Sequence, residues 1–104
     1  MGMKAYSYVV VGIKTTRQQC EADNIDLYEQ FEENEQGINA VYGEGTDDVL
    51  IGKVVFEHDP YDDTDHAVEL ELPDMAVIVE NLVTAGVANA SLDSVKLYAI
   101  TVWL

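Results

Sequence analysis

A chain of 104 residues suits one domain and is too short for two independent cores. With 48% of its residues apolar it is too hydrophobic for a disordered acidic tail, so a folded core is expected. Its formal net charge of −15, from 20 acidic and 5 basic residues, would repel nucleic acid and anionic membranes and excludes a direct DNA or RNA reader.

The first stretch, "KAYSYVVVGIK" (4–14), is β-branched and aromatic, broken only by Gly12, and reads as a buried strand. It is too short for a membrane span and lacks the form of a signal peptide. Thr16 and Gln19 then stand at capping-box spacing and open a helix. Cys20, Leu27 and Phe31 form its apolar stripe, interrupted by Asn24, and Gly37 sits where a C-terminal cap belongs. The spacing predicts a helix over 17–36, although the alternation in "NIDLY" is a strand signal.

"INAVYGEGTDD" (38–48) is a short extended piece and a glycine-rich turn, and "VLIGKVVFEH" (49–58) is a strand. "HAVELEL" (66–72) alternates cleanly, with Val68, Leu70 and Leu72 on one face and Glu69 and Glu71 on the other. A hairpin joins these two strands, with Pro60 blocking further pairing. Asp74 caps a second helix that ends on Gly86, despite the β-branched Val77 and Val79 within it. "VKLYAITVWL" (95–104) is the last strand.

The order β-α-β-β-α-β predicts a small single α+β domain: a four-stranded antiparallel sheet with two helices on one face, the ferredoxin-like arrangement. Its other face would lie open and present Tyr6, Tyr8, Glu69, Glu71 and Tyr98. RNA-binding versions of that fold stack bases on such aromatics, but the glutamates and the overall charge argue against it here.

Charge is unevenly placed. Residues 1–20 sum to +3, 21–36 to −7 and 57–74 to −8, so 15 of the 20 acids fall in two blocks. On the predicted first helix, Asp23/Asp26, Asp26/Glu29, Glu29/Glu32, Glu32/Glu35 and Glu29/Glu33 are like-charged neighbours. Together they would destabilise it by about 1–2.5 kcal/mol before screening, and the last glutamates oppose the macrodipole. A helix selected for solubility alone would mix in lysines. A halophile's acidity would be spread evenly rather than blocked.

Between His58 and His66 lie Asp59, Tyr61, Asp62, Asp63 and Asp65. In a hairpin, His58 and His66 would stand opposite each other and could hold Zn²⁺ or Ni²⁺ with the flanking aspartates. The loop lacks the glycine and glutamate of an EF-hand, and an acidic hairpin tip is the simpler reading. Catalysis is not expected. Cys20 lies on the apolar stripe, neither histidine has a nucleophile nearby in sequence, and "GEG" (43–45) is no phosphate loop. No cofactor is implied.

These features point to an acidic cytoplasmic protein that binds a basic, nucleic-acid-binding site on a partner protein or complex. Its carboxylates would stand where phosphates stand, as in nucleic-acid mimics, often virus-encoded, that block restriction or CRISPR machinery. The expected contacts are Asp23, Asp26, Tyr28, Glu29 and Glu33 on the helix and Tyr61, Asp62, Asp63 and Asp65 on the hairpin, the tyrosines acting as aromatic anchors. The alternatives are a metal site at His58 and His66, or an acidic structural protein that dimerises through the open sheet face or the C-terminal edge strand.

Overall fold

The computed structural model describes residues 5–27, 29–31, 36–43, 45–58 and 69–103, with Trp103 described by its backbone alone. The elements follow in the order β1 (Ala5–Thr16), α1 (Arg17–Ala22), β2 (Asn39–Tyr42), β3 (Asp48–His58), α2 (Met75–Thr84) and β4 (Lys96–Trp103). The strands form one antiparallel sheet in the order β2-β3-β1-β4, with the two long strands in the centre. The described residues thus form a small α+β domain with a four-stranded antiparallel sheet and two helices.

The order β-α-β-β-α-β is kept, but not with the predicted strands, so the arrangement is not strictly the ferredoxin-like one expected. Residues 69–72, expected to end a strand over 66–72, are irregular, and residues 66–68 lie outside the described residues. The short piece Asn39–Tyr42 takes the sheet position beside β3 instead, with Val41 opposite Leu50. Burial separates the described residues of the two: Val41 is buried at 9% exposure, whereas Leu72 is 58% exposed.

The first helix also stops early. Thr16 caps it, its Oγ1 accepting from the Gln19 backbone N–H at 3.1 Å, while the Gln19 amide turns outward to Asp23 Oδ1 at 3.1 Å. The helix has six residues and ends at Ala22, not at 36. Asn24 adopts a left-handed φ of 58°. The Asn24 N–H then donates to Glu21 O at 3.2 Å, and the Ile25 N–H to Cys20 O at 2.8 Å. This is a Schellman closure, sealed by Cys20 and Ile25 in one core cluster. The physical reason lies in the sequence: acids accumulate where the helix dipole is negative, and Asn is among the few residues that tolerate the left-handed turn. The residue that interrupts the apolar stripe ends the helix. Leu27 and Phe31 still reach the core, from turns.

The second helix forms as its signals predict. Asp74 Oδ1 accepts from the Ala76 N–H at 2.9 Å, and Gly86, at φ 104°, closes the far end. Gly86 N–H donates to Val83 O at 3.1 Å and Val87 N–H to Leu82 O at 2.8 Å. Ile78 and Leu82 are buried, and that packing overrides the strand preference of the valines between and beside them.

Cys20 of α1 and Ile78 and Leu82 of α2 share a cluster with Val11, Ile13, Val49 and Ile51, so both helices cover one face of the sheet. The opposite face carries a second buried cluster of Val10, Val41, Leu50 and Val102. A flat sheet could not assemble it. Tyr42 pairs through Val49 to Thr15 of β1, whereas Val102 pairs with Tyr6, which separates them by about 30 Å along the strands. Yet a Cβ placed on Gly43, next to Tyr42, would lie 3.0 Å from Val102 Cγ1. The sheet therefore bends back on itself. The register is irregular between Val9 and Val10, and Gly12 and Gly52 are paired just beyond that point. Bulges and glycines are the usual means by which long strands turn a corner. The expected open face is accordingly the inside of a fold. Tyr8 and Tyr98 pack at its margin, while Glu69 and Glu71 are exposed outside any strand.

Candidate partner-binding surface

Of the residues expected to contact a partner, Asp23, Asp26 and Glu29 are described, and all three are exposed. Tyr28, Glu33, Tyr61, Asp62, Asp63 and Asp65 lie outside the described residues. The three carboxylates do not line a continuous helix. Asp23 is the C-cap residue of α1, whereas Asp26 opens the next turn, its Oδ1 accepting from the Glu29 N–H at 3.3 Å. Two buried apolar groups, Ile25 and Phe31, anchor this turn from below. Gln30 ties it sideways: its Oε1 accepts from the Asp26 N–H at 3.0 Å and its Nε2 donates to Ala85 O at 2.8 Å, at the end of α2. The carboxylates are thus held by a fixed loop, at spacings set by turns rather than by a helical rise.

Two of the cations are engaged by the chain itself. Lys14 Nζ lies 3.9 Å from Asp48 Oδ2, a half-exposed pair of small energetic weight. The Arg17 guanidinium lies over the Tyr42 ring, 5.1 Å from its centre, and donates from Nη2 to Gly43 O.

His58 ends β3, is exposed, and pairs across the sheet with Ser7 of β1. His66 lies outside the described residues, as do Asp59 and Asp65. Among the described residues there is no group of three or more histidines, cysteines or carboxylates that could hold a metal ion. Cys20 is buried. Burial pushes its thiol up from the ordinary value, against a Thr15 hydrogen bond and with the help of Asp23, the opposite of what activates a nucleophile.

One feature was not anticipated from sequence. Inside the bend of the sheet lies an open groove of 560 Å³, lined by Tyr8, Asn39, Ala40, Val41, Tyr42, Val54, Glu57 and Val102. Its lining comes from all four strands, brought together only because the sheet folds. The available signal was the matched glycine inside two apolar strands, "VVVGIK" and "VLIGKV".

No protein-family model, curated protein or solved structure matches the chain. Among the described residues, no helix is long and apolar enough to cross a membrane.

Proposed function

We propose that this chain is an acidic inhibitor that occupies a basic nucleic-acid-binding site on a partner protein or complex, a nucleic-acid mimic of the anti-CRISPR or anti-restriction kind acting in the cytoplasm. The observation that carries the reading is the −15 charge, concentrated in two blocks with hardly any basic residue to offset it. The described part of the first block supports it. Asp23, Asp26 and Glu29 face solvent from a loop pinned to the core, so a partner would meet them without a large ordering cost. A single-sign field of this kind steers association with a basic surface and weakens with salt.

The test is charge reversal. A Glu29→Lys, Glu33→Lys variant should keep its circular dichroism spectrum, melt no lower than the parent and lose partner binding. Retained binding at physiological salt would remove the first block from the interface.

A further inference from the structure

We propose that the groove inside the bent sheet receives an arginine or lysine side chain of the basic partner. The inference rests on the acidic-inhibitor reading above and names the chemistry of its contact. The groove has the composition for such a guest. Val41, Val54 and Val102 offer apolar wall to an aliphatic stem, and the Glu57 carboxylate stands exposed at the rim. Glu57 pairs directly with Tyr8 across β3 and β1, and both residues line the groove. A cation above a tyrosine face and beside a carboxylate is held by both, whereas an anion is repelled and a wholly apolar guest would strip water from Glu57 without compensation.

Outside the groove the molecule seats a cation on a tyrosine with a carbonyl, not a carboxylate, as its other partner. Arg17 places its guanidinium 5.1 Å from the centre of Tyr42, which also lines the groove, and bonds to the Gly43 carbonyl. The volume of 560 Å³ lies within the roughly 300–1,000 Å³ typical of ligand clefts and leaves room for a short segment of chain around the inserted side chain.

The probe is a synthetic arginine–glycine peptide, titrated into the full chain at about 50 mM salt and followed by calorimetry and amide chemical shifts. Binding should shift the amides of Tyr8, Val54, Glu57 and Val102, weaken about three- to fivefold in a Glu57→Gln variant, and vanish when citrulline replaces arginine. Binding with shifts confined to residues 21–31, and unchanged by Glu57→Gln, would overturn the groove and leave the acidic surface standing. No binding at all would overturn both.

Discussion

Gly12 and Gly52 face each other across β1 and β3 with no room for a side chain on either. A Cβ on Gly12 would lie 2.6 Å from Gly52 Cα and against the Ile51 carbonyl oxygen, and a Cβ on Gly52 would lie 2.6 Å from Gly12 Cα and against the Val11 carbonyl oxygen. The obstruction is backbone, which cannot rotate aside. Gly12→Ala or Gly52→Ala should therefore force the two strands apart and destabilise the fold by about 1–3 kcal/mol, read from the urea midpoint. Gly45→Ala, with nothing within 4 Å, is the control and should change stability by no more than about 0.5 kcal/mol.

Asn24 ends α1 in the left-handed region at φ 58°. Replacing it with Gly should leave stability unchanged or slightly raised, because glycine adopts that conformation freely. Asn24→Val should lower stability by about 1–2 kcal/mol, since a branched side chain crowds the turn. Thermal melts of the pair decide it, and equal melting temperatures would mean that the Schellman closure does not set the helix end.

Gln30 joins the Asp26 turn to the end of α2 through two hydrogen bonds. Gln30→Ala should destabilise by about 1–3 kcal/mol. It should also speed amide exchange at Asp26 and Val87 more than in the sheet. If the loop holds the carboxylates for a partner, the same variant should weaken binding without altering net charge.

Cys20 gives a pH dependence of known sign. Its thiol is raised above the ordinary value of 9.0 by burial, opposed by Thr15 and aided by Asp23. The folded state therefore holds the proton more tightly than the unfolded state. The associated stability is fully present below about pH 9 and is lost as pH rises toward the folded value. The urea midpoint of the parent should fall more between about pH 8 and pH 10 than that of Cys20→Ala. Iodoacetamide should react with Cys20 far more slowly in the folded than in the unfolded chain.

How much of this was legible depends on how local the signal is. Asp74 and Gly86 bracket α2 by caps that act within one turn, and both were readable. Thr16 and Gln19 likewise mark the start of α1. Its end is less legible, because in sequence Asn24 is only an interruption of the apolar stripe whereas in the backbone it is a left-handed stop, with Cys20 and Phe31 buried on either side of it. That Asn39–Tyr42 joins the sheet while 69–72 is irregular was beyond local reading, since alternation reports amphipathy and not whether a core awaits it. The groove was least legible, because Gly43 meets Val102 only through a bend encoded by two glycines 40 residues apart. The acidic blocks were plain in sequence as charge, and the structure adds how Asp23, Asp26 and Glu29 are held.

The central claim is that the carboxylates stand in for nucleic-acid phosphates, and affinity capture under competition tests it most directly. The full chain is immobilised, exposed to bacterial lysate at low salt, and challenged in parallel with duplex DNA, RNA and high salt, with the released proteins identified. The result expected is one nucleic-acid-processing enzyme or effector complex, strongly enriched, and displaced both by salt and by its own nucleic acid. Retention of unrelated basic proteins alone, or of nothing, would contradict it.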